Sequence, residues 1–535
     1  MPKKSSASKS ARKASAKRAG AAATPVKTPP KRPASAPARP PAKPPAKPPA
    51  KGPAKTPAGA GGAAGMILAW EDDPLTQPSA APVQRPVPDL ASKTLPVAFD
   101  AKAPPPKIYQ RGTPEFRFWA CAEAVRRAAD FWSAIVPKGF AWQVGAALPV
   151  HLDVGEDLNA FYQRDDPVGL NFFHDTVNGV TYYSGESPDV ACHEFGHAVL
   201  DGLRPELFDA AFAEVAAFHE AFGDISAILS VLQLQSLRAA LLASVGTNVA
   251  RNSRVSRIAE QIGFAIRQRS PDLVDADALR NAVNSFFYRD PQQLPPSNPA
   301  TLLSSEPHSF SRVFTAAYLE VLAGIFVAQG APGNEQQLLA ATQIAGKLIV
   351  TAAVGASVVP GFYSQVAAHV LSADASLYGK KYRDAIQSAF VRRGILSLES
   401  AASGATQTAA PPTARALAAT AAAAAAPPEA PVMAISALRY GFDKPLYVVA
   451  PGHAPHFAVA AAAPSVGSVE PASREVAAQS FLEDLLRRGR IDIAEHGDPD
   501  AVVAQPLRRK THELVEHEDG VRLARRYFDC GFDAQ

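Results

Sequence analysis

Apolar residues recur with helical spacing through residues 211–232, AFAEVAAFHEAFGDISAILSVL, and this pattern predicts one long helix. Residues 189–202, DVACHEFGHAVLDG, have apolar packing positions around their histidines and predict a second helix. Further along, residues 481–493, FLEDLLRRGRIDI, are typical of an amphipathic helix that leads into a strand. Alternating apolar and polar residues on both sides of Asp519-Gly520 predict a β-hairpin.

The longest apolar run, Leu348–Val359, ends at Pro360 inside a longer helical pattern. It is shorter than the ~18 charge-free residues that span a bilayer, so we expect no transmembrane segment. The basic N-terminus is not followed by an apolar segment, which argues against a secretory signal peptide. We therefore expect a cytoplasmic protein, with export by a non-standard route left open.

The net charge of +4 over 535 residues conceals an uneven distribution. Residues 1–65 contain 15 Lys and Arg and no Asp or Glu, whereas the remaining 39 basic and 50 acidic residues give the body a charge of −11. The segment lacks aromatic residues and contains a PPAK repeat, so we expect it to be disordered. It fits either an arm that binds nucleic acid or another polyanion, or an extended spacer.

Composition also suggests domain boundaries. A segment rich in Ala, Thr and Pro predicts a linker at residues 399–432, and residues 66–104 are expected to form another linker. Between them lies a block at 105–398, and a C-terminal extension of unknown role follows at 433–535. The three cysteines are too few and too scattered for a disulfide framework, which excludes a small secreted fold held together by disulfides.

The sequence His193-Glu194-Phe195-Gly196-His197 carries the clearest chemistry. On a helix, His193 and His197 lie one turn apart on the same face, so both imidazoles can reach one metal ion. Glu194 lies beside that face and can act on a water molecule held by the metal without binding the metal itself. The motif predicts a catalytic zinc site, which needs a third protein ligand.

The helix at 211–232 offers Glu214, His219 and Glu220 as third ligands. Glu220 and Asp224 are four residues apart and share a face. Glu220 can therefore bind zinc while Asp224 accepts the second N–H of a ligand histidine, as supporting carboxylates commonly do. We choose Glu220 as the ligand and Asp224 as its supporting residue.

Other histidines and a cysteine compete for this interpretation. Cys192 points about 100° away from the ligand face and is expected to be a packed residue. His512 and His517 are five residues apart on a predicted strand, and we expect both to be exposed on the hairpin. His453 and His456 lie in a loop rich in Gly and Pro, where the same surface role is expected.

The HEFGH motif followed by HEAFGD resembles the thermolysin-type zinc metallopeptidases, and further segments in the same order extend the resemblance over 105–397. They are an aromatic helix at Phe116–Val136, a strand at Leu148–Asp153, and the motifs Asn159-Ala160-Phe161-Tyr162, Ala278-Leu279-Arg280 and His308-x-x-Ser311. The resemblance implies an α+β, two-lobed catalytic domain: a mixed sheet lobe, the zinc helices between, and a helical lobe.

The resemblance also implies roles for individual residues. Asn159 and Ala160 would lie on an edge strand whose main chain pairs with an extended peptide. Arg280 would contact the substrate carbonyl, and His308 would be the second active-site histidine. Together these features predict a zinc-dependent endopeptidase with one catalytic Zn²⁺ on His193, His197 and Glu220.

Two departures from the family pattern qualify that prediction. Phe208 occupies the position of an oxyanion-stabilising Tyr, and the loss of one such donor typically costs ~10²–10³ in rate; Tyr182 and Tyr183 are possible replacements. No Asp or Glu lies between Asp224 and Glu260, so we expect no structural calcium there. Asp189 is then expected to be solitary and to cap its helix.

Two functions are alternatives to the zinc endopeptidase. One is a zinc-binding pseudopeptidase, and the other is a nucleic-acid-associated protein acting through residues 1–65.

Overall fold

A computed structural model describes residues 65–76, 81–403, 431–436, 438–452, 472–493 and 509–531. The predicted basic tail at 1–65 and the predicted linker at 399–432 lie almost entirely outside these residues. His453 and His456 also lie outside them. Everything described below belongs to one compact unit within Gly62–Gln535.

The described chain folds into helices and small mixed sheets, which is the predicted α+β class. The N-terminal part contains β1 (Met66–Ala69), β2 (Val83–Pro86), β3 (Val97–Phe99), α1 (Pro114–Ser133), β4 (Leu148–His151), β5 (Ala160–Gln163), β6 (Gly169–Phe172), β7 (His174–Val177) and β8 (Val180–Tyr183). The central part contains α2 (Pro188–Leu203), α3 (Ala213–Val231), α4 (Gln235–Val245), β9 (Arg257–Ile258), α5 (Glu260–Arg269), β10 (Arg280–Asn281), α6 (Pro307–Val327), α7 (Glu335–Gly355), α8 (Phe362–Tyr378), α9 (Arg383–Arg392) and α10 (Leu398–Ser403). The C-terminal part contains β11 (Val432–Ile435), β12 (Leu446–Val449), α11 (Arg474–Arg487), β13 (Ile491–Asp492), β14 (His512–His517), β15 (Gly520–Arg525) and β16 (Tyr527–Asp529).

One five-stranded sheet, in the order β16-β5-β6-β4-β3, joins distant parts of the chain. Strands β3, β4 and β6 are parallel neighbours, whereas β5 pairs antiparallel with β6 and β16 pairs antiparallel with β5. The expectation that residues 66–104 form a linker is wrong, because β3 belongs to this sheet and β1 pairs with β2. Trp70 is buried in the same segment.

The second five-stranded sheet, in the order β11-β12-β15-β14-β13, lies within the C-terminal extension. The predicted hairpin is confirmed, since β14 and β15 are antiparallel and Leu514 lies opposite Leu523. Its two-residue loop is Glu518-Asp519, one position earlier than predicted. The predicted amphipathic helix and the strand after it are present as α11 and β13.

Two helices, α6 and α7, are long and apolar enough to cross a membrane by length and composition, and α3 with α4 would form a bent third candidate. In the folded chain, 83% of the apolar window of α6 and 56% of that of α7 are buried inside the protein. Their apolar residues therefore pack largely against other elements of the described chain. The absence of a transmembrane segment stays a prediction.

Helices α2 and α3 cross at glycines. A Cβ atom added to Gly196 would lie 2.7 Å from the Cβ of Ser226 and 3.0 Å from the Cα of Gly223. A Cβ atom added to Gly223 would lie 2.6 Å from the His193 ring. All three distances are shorter than van der Waals contact, so neither Gly196 nor Gly223 has room for a side chain. The glycines thus allow the two helices to approach closely where α2 carries its histidines.

We predict that Gly196→Ala destabilises the protein, although alanine favours a helix by about 1 kcal/mol in an uncrowded position. The extra methyl group would push α3 away and lower the free energy of unfolding by about 1–3 kcal/mol. Denaturant unfolding monitored by circular dichroism measures this change. A rise in stability, as expected for an uncrowded helical glycine, would show that the crossing is looser than described.

Candidate metal centre

Three side chains from two helices meet in the protein interior. His193 and His197, one turn apart on α2, face Glu220 on α3, and all three are at most 2% exposed. The Nε2 atoms of the two histidines are 3.1 Å apart. The Glu220 carboxylate lies 3.4 Å from Nε2 of His193 and 3.8 Å from Nε2 of His197. The three residues chosen from sequence are therefore brought together.

The spacing of these atoms suits a tetrahedral metal ion. Ligand atoms 2.0–2.1 Å from such an ion lie about 3.3 Å from one another, close to the separations observed here. Oε2 of Glu220 is buried and makes no well-oriented hydrogen bond. A cation would satisfy this oxygen. The residues present therefore fit a bound metal ion.

The two histidines differ in their affinity for protons. Burial would lower the pKa of His193, but hydrogen bonds to Asp224 and Glu220 outweigh it and raise the pKa to about 9. Burial and the neighbouring His193 lower the pKa of His197 well below its usual range. Metal binding must therefore displace a proton from His193, which makes metal affinity dependent on pH.

Asp224 contacts His193, the residue that it was predicted to support. Its carboxylate lies 3.0 Å from Nδ1 of His193 and 2.8 Å from Nη2 of Arg280. Burial would raise the pKa of Asp224, but Arg280 and His193 hold it well below its usual range. Arg280, on β10, thus stabilises Asp224, and its buried Nη1 has no hydrogen-bond partner.

Glu194 lies beside the ligand face and is completely buried. Burial raises the pKa of Glu194 to about 7, so the carboxyl can take up and release a proton near neutral pH. Its Oε2 has no hydrogen-bond partner. Its Oε1 accepts a hydrogen bond from the Cys530 thiol at 2.8 Å. The predicted base therefore faces a residue that the sequence analysis did not place at the site.

His308 lies in the first turn of α6 and joins the same cluster. Its Nε2 is 3.3 Å from Glu220, and its Nδ1 hydrogen-bonds Glu306 at 2.7 Å. Nε2 also donates to the main-chain carbonyl of Asp529. Burial would lower the pKa of His308, but the charges of Glu220 and Glu306 raise it to about 9. Glu306 is thus the acidic partner of His308 in this cluster.

Asn159 and Ala160 do not contact the three metal-facing residues but bind the end of the chain. The Ala160 carbonyl accepts a hydrogen bond from the Cys530 N–H at 2.8 Å, and Oδ1 of Asn159 accepts one from the Gly531 N–H at 2.7 Å. Both belong to the edge of the sheet that β16 extends. The predicted peptide-binding edge is therefore paired with this protein's own C-terminal strand.

Phe528 of that strand packs against the metal-facing side chains. Its ring stacks on His219 with centroids 4.0 Å apart and on His197 at 5.0 Å, and it meets Phe208 edge to face at 5.4 Å. Burial lowers the pKa of His219 well below its usual range, so His219 is a neutral packing partner. Sequence reasoning missed Phe528, and no local pattern around it indicated this position.

Several other sequence-based expectations have clear outcomes. Cys192 is a packed residue, as predicted, with its thiol hydrogen-bonded to the Ala124 carbonyl. The expectation that His512 is exposed is wrong, because the side chain is 3% exposed and lines a cavity of about 20 Å³ beside Glu220.

Tyr182 packs near Phe264, and Tyr183 stacks on His174. Neither of these tyrosine contacts involves a site residue, so the described chain gives no support to either as a replacement oxyanion donor.

Asp189 is not solitary, contrary to expectation. Its carboxylate lies with those of Asp72 and Glu260 in a buried group whose oxygens are within 4.8 Å of one another, close enough to hold a cation. The side chain that caps α2 is Ser187, whereas Asp189 accepts a hydrogen bond from the Ala259 N–H. The sequence analysis missed this group because Asp72 lies in the segment expected to be a linker.

Glu214, the rejected third-ligand candidate, lies elsewhere. Its carboxylate accepts hydrogen bonds from the Tyr288 hydroxyl and the Tyr363 N–H, both at 2.7 Å. Burial raises the pKa of Glu214 to about 7. The protonated form is thus favoured in the folded protein more than in the unfolded chain. The stabilisation that Glu214 contributes to the folded protein is therefore complete below about pH 4.5 and is lost as the pH rises through 7.

We predict that Glu214→Gln, which mimics the protonated group, removes this pH dependence. Relative to the wild type, the variant should gain about 2–3 kcal/mol of unfolding free energy between pH 5 and pH 8. Urea unfolding at both pH values measures the gain. Replacing the exposed Glu475 by Gln controls for the simple loss of a carboxylate. An equal difference from wild type at both pH values would contradict the assignment.

Comparison with known proteins adds no family name to this geometry. No protein-family model matches the chain, and no curated protein matches it either. The interpretation of the site therefore depends on the residues themselves: two histidines and a carboxylate at metal-binding spacing, a buried carboxyl with a pKa of about 7 beside them, and a supporting Asp224–Arg280 pair.

Proposed function

We propose that this protein is a zinc-dependent endopeptidase with a two-lobed domain similar to that of thermolysin-type enzymes. The observation that carries the proposal is the convergence of His193, His197 and Glu220 with Glu194 beside them. A donor set of two imidazoles and one carboxylate leaves one tetrahedral position for water or substrate, which is the arrangement of catalytic zinc sites. The protein substrate would lie between the sheet lobe and the helical lobe.

The ligand residues would hold a zinc ion that polarises a peptide carbonyl and lowers the pKa of water. Glu194 would accept a proton from the attacking water and deliver it to the leaving amine. A carboxyl with a pKa near 7 suits both steps, because it exchanges protons readily at neutral pH. The Asp224–Arg280 pair would hold His193 in a fixed orientation.

Two donors are available for negative charge that develops on the carbonyl oxygen. Nε2 of His308 donates to a main-chain carbonyl, and its Nδ1 is held by Glu306. Nη1 of Arg280 is buried without a partner. Such preorganised donors are usually worth several kcal/mol in the transition state. Together they would compensate for Phe208, which has no hydroxyl.

The edge strand β5 would bind the substrate main chain. On the side away from β6, β5 can accept an antiparallel strand, as its pairing with β16 shows. Adding a strand recognises the peptide backbone independently of its side chains, which favours an endopeptidase acting on extended segments. Asn159 and Ala160 offer acceptors for two successive N–H groups.

The ligand assignment predicts how substitutions change metal binding. Glu220→Gln and His197→Phe should weaken zinc binding by more than the ~10–100-fold typical of losing a supporting residue. His219→Phe removes the imidazole whose Nδ1 lies 3.5 Å from Nδ1 of His197, so its effect should stay within that ~10–100-fold range. Competition with a chromophoric chelator, with circular dichroism to verify folding, measures the affinities. Equal affinity in all three variants would contradict the ligand assignment.

The role proposed for Glu194 predicts the effect of its substitution on catalysis. Glu194→Gln should keep zinc and lower the rate of peptide cleavage by about 10²–10⁴-fold. The C-terminal strand β16 covers the site. A peptide library is therefore incubated with the zinc-loaded wild type and also with a Cys530→Pro chain. That chain lacks the N–H group that hydrogen-bonds the Ala160 carbonyl. Mass spectrometry identifies the products. Full cleavage by a Glu194→Gln chain would refute the mechanism.

Phe208 supports one alternative, a zinc-binding pseudopeptidase. The ring is 2% exposed and lies against Phe528, where the family pattern would have an oxyanion donor. This alternative predicts stoichiometric zinc but no products from the wild type or from the Cys530→Pro chain. The endopeptidase predicts products from the Cys530→Pro chain, so the same assay separates the two functions.

A further inference from the structure

We propose that residues Tyr527–Gly531, the blocking segment, are an internal inhibitor that occupies the substrate cleft, with the Cys530 sulfur as the fourth ligand of the metal. The inference deepens the proposed function and rests on it for the identity of the cleft. It is carried by strand pairing, by the contacts of each successive residue, and by the position of the thiol.

The main chain of the blocking segment pairs with β5 as an extended peptide would. Tyr527, Phe528 and Asp529 lie antiparallel to Gln163, Tyr162 and Phe161. The register continues beyond the strand, because the Cys530 and Gly531 N–H groups bond Ala160 and Asn159. The segment thus uses the hydrogen-bonding groups of the edge that a substrate would need.

Three consecutive residues of the segment also contact a catalytic or metal-facing group. Phe528 covers His197, and the Asp529 carbonyl accepts a hydrogen bond from His308. The next side chain, Cys530, reaches Glu194. Consecutive residues therefore contact a ligand, the predicted oxyanion donor and the predicted base, in the way that a bound peptide would.

The Cys530 thiol lies beside the metal-facing cluster, next to His193 and Glu194. Ligand atoms of Cys530, His193 and Glu194 all lie within 4.8 Å of one another. The sulfur is 2.8 Å from Oε1 of Glu194, and the buried Oε2 atom of Glu194 lacks a hydrogen-bond partner. On metal binding the thiol would lose its proton, and Glu194 is positioned to accept it. A soft thiolate is a good zinc ligand and would close the position that water needs.

Contacts outside the cleft hold the blocking segment in place. Arg509, just before β14, pairs with Asp157 through two nitrogens, and Arg490 pairs with Asp529 at 3.4 Å. Arg525 lies 4.1 Å from the Phe528 ring and bonds the Phe208 carbonyl. The cavity left beside Glu220 and Phe528 is about 20 Å³, room for a single water molecule. A peptide substrate can therefore enter only when the segment leaves.

Cobalt spectroscopy tests the thiol ligand independently of activity. The full chain, stripped with a chelator and reloaded with Co²⁺, should show an intense near-ultraviolet thiolate-to-cobalt charge-transfer band. Cys530→Ser should lose the band completely. Cys121→Ser, which changes a buried cysteine of α1, should keep it. A band that persists in Cys530→Ser, or a cobalt-loaded wild type without one, would overturn the ligand assignment.

Peptidase assays of the full chain test inhibition. Because a tethered competitor acts at an effective concentration near millimolar, displacing the segment should raise kcat/KM by about 10²-fold or more. Two variants weaken the pairing in different ways. Cys530→Pro removes an N–H group, and a side chain at Gly531 would lie 2.8 Å from Oδ1 of the buried Asn159, so Gly531→Leu crowds the acceptor of the Gly531 N–H. A synthetic peptide of residues 524–531 should inhibit both variants again.

The outcomes separate this inference from the proposed function. Wild type as active as both displaced variants would refute inhibition while supporting the endopeptidase. Zinc-loaded, folded variants that cleave nothing would refute the endopeptidase, and the cobalt band would still decide whether Cys530 is a ligand. Zinc loading of the wild type could also release residues 530–535, which intact mass spectrometry would detect. That outcome would show that the segment is a substrate and not a stable inhibitor.

Discussion

The close crossing of α2 and α3 determines the geometry of the whole site. Gly196 and Gly223 remove the side chains that would separate the two helices, so His193 packs directly on the backbone of α3. Because both helices are rigid and buried, the histidines one turn apart on α2 meet Glu220 of α3 without any contribution from loops. Sites on regular elements hold their geometry more precisely than sites on loops. The residues contributed from elsewhere are arranged around this crossing.

Charge is the second constraint, because ionisable groups that are almost completely buried must neutralise one another. Asp224 balances Arg280 and His193, and Glu306 balances His308. Glu194 keeps one carboxylate oxygen without a hydrogen-bond partner. Oε2 of Glu220 lies 3.4 Å from His193 and 3.3 Å from His308 but makes no well-oriented hydrogen bond. A buried carboxylate without compensation is costly. The arrangement is therefore electrostatically incomplete until a cation or protons are bound, which is the behaviour expected of a metal site.

Short-range patterns made the centre of the site predictable. His193 with His197, and Glu220 with Asp224, are each four residues apart, and helix geometry alone puts each pair on one face. What sequence reasoning missed depends on contacts between distant segments. Cys530 is 336 positions from Glu194, and Asp72 meets Asp189 from a segment without helical periodicity. His512 looked like a surface histidine because the strand pattern gave no information about what covers it.

The C-terminal extension shows the same limit at the level of the domain. Its hairpin, its amphipathic helix and the strand after it follow from local alternation and turn chemistry, and the structure contains all three. Its contact with the metal site depends on β16 joining a sheet whose other strands lie more than 350 residues earlier. Pairing over such separations leaves no periodic signal in either partner. The extension is consequently recognisable as folded from its sequence, but its connection to the site is not.

X-ray absorption at the zinc edge of the zinc-loaded full chain tests the central claim most directly, because it counts ligands by element without depending on activity. The structure predicts three nitrogen or oxygen neighbours at about 2.0–2.1 Å and one sulfur at about 2.3 Å. A shell made only of nitrogen and oxygen would contradict the role of Cys530. A chain that binds no zinc would contradict the metal centre itself.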